Sequence, residues 1–126
     1  MCKVMLIEDD AVMLQLLETL LEYEGYQTAH LDGEGTLDEI LNRVRKERPA
    51  LLLLDVHLRQ MNGLDLLRMM RNDQELKFVR VLVSSGMELS KESYQDGADG
   101  FIMKPYMPDD LVATIRATIA EGCSGS

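Results

Sequence analysis

A chain of 126 residues, 46% hydrophobic and 28% charged, is long enough to bury one substantial core and too short for a catalytic domain plus a separate partner domain. Its 22 acidic against 13 basic residues leave a net charge of −9, which repels phosphate backbones and anionic membranes and argues against direct nucleic-acid binding. No signal-peptide pattern opens the chain and no apolar run approaches the roughly 20 residues that cross a bilayer. A single cytoplasmic domain is therefore expected over residues 1–121, with a flexible Gly-Ser tail over 122–126. Cys2 and Cys123 show neither zinc-site spacing nor the density of a disulfide scaffold, and read as two free thiols in a reducing compartment.

Val4 to Ile7 is apolar without polar alternation, as expected of a strand buried on both faces. Met13, Leu16, Leu17, Leu20 and Leu21 follow the i, i+3, i+4, i+7, i+8 stripe of a helix. Asp10 is placed to cap that helix and Gly25 to stop it. Tyr26 to His30 is a weaker strand. Thr36 and Glu39 have capping-box spacing and open a helix that buries Leu37, Ile40, Leu41 and Val44 and closes before Pro49. Leu51 to Leu54 is a second doubly buried strand, and Gly63 precedes a helix carrying Leu64, Leu67 and Met70. After the strand Val81 to Val83, the segment Glu88 to Gln95 is the least periodic of the chain. Phe101 to Met103 is the last strand, and Pro108 opens a helix that buries Leu111, Val112, Ile115 and Ile119. This alternation predicts an α/β fold with a parallel sheet covered on both faces, most simply five strands and five helices.

Charge recurs at the carboxyl ends of three of these strands: Glu8-Asp9-Asp10, Asp55, and Lys104-Pro105. In an open parallel sheet the carboxyl ends line one crevice, so these residues would converge although they lie about half the chain apart. Such a meeting of acids and a lysine suits divalent-metal and phosphate chemistry.

Taken together, the acidic pair after the first strand, Asp55 ending the third, the Asp55…Met61-x-Gly63 loop, a hydroxyl residue ending the fourth, and Gly97-Ala98-Asp99-Gly100-Phe101-Ile102-Met103-Lys104-Pro105 resemble a known family. It is the receiver domains of two-component response regulators, and the match runs from Lys3 to about Ala120. The resemblance implies a single flavodoxin-like doubly wound sheet, (βα)5, with strand order 2-1-3-4-5. It implies that Asp55 accepts a phosphoryl group as an acyl phosphate and that Glu8, Asp9, Asp55 and the backbone carbonyl of His57 serve a magnesium ion, with Glu8 acting through water. Lys104 would neutralise the phosphoryl oxygens, with the Lys104–Pro105 bond typically cis. Ser85, thirty residues beyond Asp55, would be the switch hydroxyl rather than Ser84, and Phe101 the switch aromatic. The His57 side chain reads as a solvated loop residue.

The same resemblance implies a sensor histidine kinase or phosphotransfer protein as donor. A switched α4-β5-α5 surface would act on an output partner or fused effector domain, and a homodimer is left open. The domain would catalyse its own phosphorylation and dephosphorylation without being a turnover enzyme. Three departures stand out. Arg59 occupies a place where proline is common, which makes the loop more positive and more mobile. Ser85 to Gly97 spans twelve residues, about one helical turn short, which places a deletion in the fourth helix. His57 and Met87 stand where the family tunes hydrolysis. The rival readings are a magnesium-dependent aspartyl-phosphate phosphatase, for which His57 stands where a second acid is wanted, and a receiver-like module that binds without phosphorylation. A flavin-binding relative is disfavoured because Glu8-Asp9-Asp10 would repel the cofactor phosphate.

Overall fold

A computed structural model describes residues 2–119 of the chain. Strands and helices alternate throughout: β1 (Lys3–Ile7), α1 (Ala11–Tyr23), β2 (Gln27–Leu31), α2 (Leu37–Glu47), β3 (Leu51–Asp55), α3 (Gly63–Arg71), β4 (Arg80–Ser85), α4 (Ser90–Gln95), β5 (Gly100–Met103) and α5 (Pro108–Thr118). The strands form one sheet in the order β2-β1-β3-β4-β5, each neighbouring pair parallel. The alternation predicted the five strands, five helices and parallel sheet, and the flavodoxin-like, doubly wound order is the one the resemblance implied.

Successive residues of a strand point to opposite faces, so an unbroken apolar run feeds two cores. Met5, Ile7, Leu52, Leu54, Val81 and Val83 pack with Ile40, Leu41 and Val44 of α2 and Leu66, Leu67 and Met70 of α3. Val4, Leu6, Leu51, Leu53 and Leu82 pack on the other face with Leu14, Leu17 and Leu21 of α1 and Leu111 and Ile115 of α5. The central strands are the most deeply buried, with Val4 to Ile7, Leu51, Leu52 and Leu54 fully excluded from solvent.

The helix termini are built by local chemistry. Asp10 caps α1, its Oδ1 accepting the Val12 and Met13 N–H groups at 3.0 and 3.1 Å. Thr36 and Glu39 form a reciprocal capping box at the start of α2. α4 is the shortest of the five helices, six residues without a side-chain cap, in keeping with the shortened segment expected there.

Two expectations are corrected. The buried stripe of α1 is Leu14, Leu17 and Leu21, whereas Leu16 is 62% exposed. Apolar residues line more than one side of this helix, so several stripes satisfy helical periodicity, and packing on the sheet selects among them. Cys2 is disulfide-bonded rather than a free thiol. It packs against the same apolar cluster as Ile119, so distance along the chain was a poor guide to the surroundings of this cysteine. Cys123 and the tail expected from Gly122 lie outside the described residues. No described helix is long and apolar enough to cross a membrane.

Candidate functional site

β1 and β3 are neighbours, with Ile7 paired to Leu54. The next residue on each strand is therefore an acid, Glu8 beside Asp55. The ladder continues one step beyond β1, where the Glu8 N–H donates to the Leu31 carbonyl at 3.1 Å. One carboxylate oxygen from each of Glu8, Asp9 and Asp55 lies within 4.8 Å of the other two. Lys104 arrives from the end of β5, its N–H donating to the Ser85 carbonyl at 2.8 Å, and the Lys104–Pro105 bond is cis. Its Nζ crosses the end of β4 to lie 2.7 Å from Glu8 Oε1 and 3.5 Å from Asp55 Oδ2. The convergence expected of the charged strand ends is thus realised.

Electrostatics follow from this crowding. Burial pushes the Asp55 carboxyl up to about 6; Lys104 opposes that rise, while Glu8 and Asp9 add to it. Burial works against the Lys104 ammonium, but the hydrogen bond to Glu8 and the charges of Asp55 and Glu8 outweigh it, so its pKa lies above the ordinary lysine value. One lysine among three carboxylates leaves the cluster electron-rich. Such a set of hard oxygen donors fits a magnesium ion.

The loop from β3 to α3 is folded tightly over Asp55. Val56 N–H donates to the Ser84 carbonyl at 3.0 Å, Gly63 N–H to the Val56 carbonyl at 2.7 Å, and His57 bridges Asn62. The Gly63 Cα approaches the Asp55 carbonyl so closely that a Cβ there would overlap it. The His57 N–H donates to Asp55 Oδ1 at 3.4 Å, and its side chain is exposed. The Arg59 N–H donates to Asp9 Oδ2 at 2.7 Å, with Arg59 Nε 3.8 Å from the same oxygen.

Ser84 and Ser85 are both buried at the end of β4. Ser84 is the register partner of Asp55, and Ser85 Oγ accepts the Met87 N–H at 3.0 Å. Among the described residues no hydrogen bond joins either hydroxyl to Asp55. Phe101 is half-buried against the cluster shared with α2 and α3. Sequence reasoning passed over Tyr106, two residues beyond Lys104. Its hydroxyl is buried without a hydrogen-bond partner, and burial raises its pKa against the pull of the Lys104 charge. The aromatic directly after Lys104-Pro105 was the available signal.

The chain is similar to known proteins in sequence and in fold. Residues 4–116 match the response regulator receiver domain. The chain is 37% identical over 117 residues to the DNA-binding response regulator MtrA of Mycolicibacterium paratuberculosis, covering 93% of this chain and 51% of that protein. It is 37% identical over 122 residues to the transcriptional regulatory protein CpxR of Escherichia coli K12, covering 94% and 50%. The chain thus spans about half the length of these relatives. Among solved structures, a CheY-like receiver domain protein from Methanospirillum hungatei superposes with a TM-score of 0.81 at 29% identity, covering 93% of this chain and 92% of that one. Chemotaxis protein CheY4 of Vibrio cholerae gives 0.83 at 24% identity, covering 94% and 99%, and speaks for the fold alone. With its sheet order, its acidic cluster and these matches, the chain belongs to the response regulator receiver domains of two-component systems.

Proposed function

We propose that Asp55 is the phosphoacceptor of this receiver domain, taking a phosphoryl group from a sensor histidine kinase or a phosphotransfer protein. The observation that carries this reading is the meeting of Glu8, Asp9 and Asp55 within 4.8 Å beneath the Lys104 ammonium. A carboxylate oxygen of Asp55 forms the new bond to phosphorus, and the bond from phosphorus to the donor breaks with its electron pair leaving on the donor. Glu8, Asp9, Asp55 and the His57 carbonyl would hold magnesium, which supplies charge neutralisation of the transferring phosphoryl oxygens. Lys104 adds a point charge to the same oxygens. The rest is positioning, which the buried ends of β1 and β3 provide.

The acyl phosphate carries about −2 where the Asp55 carboxylate carried −1, and this added charge, with its new acceptor oxygens, biases Ser85 and Phe101. Ser85 gives up its bond from the Met87 N–H to meet the phosphoryl group, and Phe101 turns further into the cluster it already touches. The surface of α4, β5 and α5 changes in consequence and informs an output partner or a fused effector domain. The receiver over residues 1–121 performs this chemistry on itself, without turnover of a separate substrate and without binding nucleic acid directly. The cytoplasm is the compartment for this exchange, a placement that rests on the role and not on the cysteines.

Intact mass after incubation with acetyl phosphate and magnesium tests the reading. One phosphoryl adduct that needs the metal and is absent in Asp55→Asn is expected. If neither an adduct nor a beryllofluoride complex forms, the domain is instead a module that binds partners without phosphorylation.

A further inference from the structure

Arg59 stands where the family resemblance led us to expect a proline, and its main chain and side chain both act on Asp9. Proline has no N–H, so it could not make the 2.7 Å bond that Arg59 donates to Asp9 Oδ2. The guanidinium approaches the same oxygen at 3.8 Å, while the Arg59 side chain is 77% exposed and that of Asp9 only 17%. The loop is tethered on its other side as well, where Gln60 Oε1 accepts the Gly35 N–H at 3.4 Å. A loop pinned between β1 and the turn before α2 holds one cation at the rim of the acidic cluster. The other cation, Lys104, leans on Glu8 and Asp55, so Asp9 is the acid left to Arg59.

We infer that Arg59 is a positioning residue that competes with the divalent ion for Asp9, setting how much magnesium the domain needs before it can accept phosphate. The inference rests on the reading of Glu8, Asp9 and Asp55 as the metal site. Two positive contributions act on Asp9 Oδ2: the main-chain N–H, which fixes the carboxylate, and the guanidinium, which lowers the attraction of the site for another cation. An incoming ion must displace or share the second, and the exposure of the Arg59 side chain leaves it room to swing into water. Exposed ion pairs are weak and screened by salt, so the competition is a modest adjustment of affinity that depends on ionic strength.

The test is calorimetric titration of magnesium chloride into metal-free protein at low ionic strength and again in about 1 M sodium chloride, where the screening length falls to about 3 Å. Wild type is compared with Arg59→Lys, Arg59→Gln and Arg59→Pro, with circular dichroism to verify that each is folded. Arg59→Gln is expected to bind magnesium about two- to five-fold more tightly than wild type at low salt, with the gain closing in high salt. Arg59→Lys should stay near wild type, and Arg59→Pro should bind at least as tightly as Arg59→Gln. Equal constants for all four forms, or weaker binding by Arg59→Gln or Arg59→Pro, would overturn the competition while leaving the metal site intact. Absence of binding in every form would instead remove the metal site, and the competition with it.

Discussion

Burial at the end of four leucines pushes the Asp55 carboxyl up to about 6 from an ordinary 3.8, so the folded protein keeps a proton that the unfolded chain releases between those values. Folded-state binding of the proton stabilises the fold at acid pH, and that stabilisation is lost as pH rises through about 4 to 6. At neutral pH the ionised Asp55 carboxylate therefore destabilises the metal-free fold. Asp55→Asn is expected to raise the melting temperature of the metal-free protein at pH 7 by several degrees, and thermal scans at lower pH should show the gain shrinking toward pH 4. A gain independent of pH would mean that the Asp55 carboxyl is not raised in the folded protein. Ser85→Ala should abolish the shift of the Phe101 ring resonances on phosphorylation while Ser84→Ala preserves it; the reverse ranking would move the role to Ser84. Glu8, Asp9, Asp55 and Lys104 could be read from the sequence because each puts charge at the end of an apolar run. Arg59 on Asp9 could not, because a main-chain donor leaves no mark on residue identity and its direction depends on the path of the loop.

Helix starts were legible where the signal is short-range. Thr36 and Glu39 satisfy each other within three residues, and Asp10 caps α1 through atoms two and three residues away. The buried face of α1 was not, because the choice among its apolar stripes is made by the sheet. β4 runs two residues past its apolar stretch, since Ser84 and Ser85 continue the ladder opposite Asp55, Ile102 and Met103. The junction of β3 and α3 leaves no room for a side chain at Gly63, which packs directly on the Asp55 carbonyl. Gly63→Ala must push that carbonyl or the start of α3 aside. A loss of roughly 2 kcal/mol or more is expected, seen as a lower urea midpoint with an unchanged slope, together with slower phosphorylation of Asp55. Unaltered values for both would mean that the loop relaxes freely around the acceptor.

Five parallel strands with a core on each face make a molecule in which neither core exists without the sheet, so unfolding as one cooperative transition is expected. Magnesium at about a hundred times its dissociation constant should raise the stability by about 2.7 kcal/mol, measured as a shift of that single transition. Asp9→Asn should remove most of the shift, and a full shift in that variant would exclude Asp9 as a ligand. The overall architecture was legible because doubly buried strands and amphipathic helices differ so plainly in period. The state of Cys2 was not, since what surrounds the first residues of β1 is decided by α5 at the far end of the chain.

The contact between Glu8 and Lys104 joins residues 96 positions apart. During synthesis the three acids are therefore made well before the lysine that offsets part of their charge. A chain halted before the last strand would hold the Asp55 carboxylate without the Lys104 ammonium that stands beside it in the folded domain, and the phosphoryl transfer proposed for Asp55 would lack that cation.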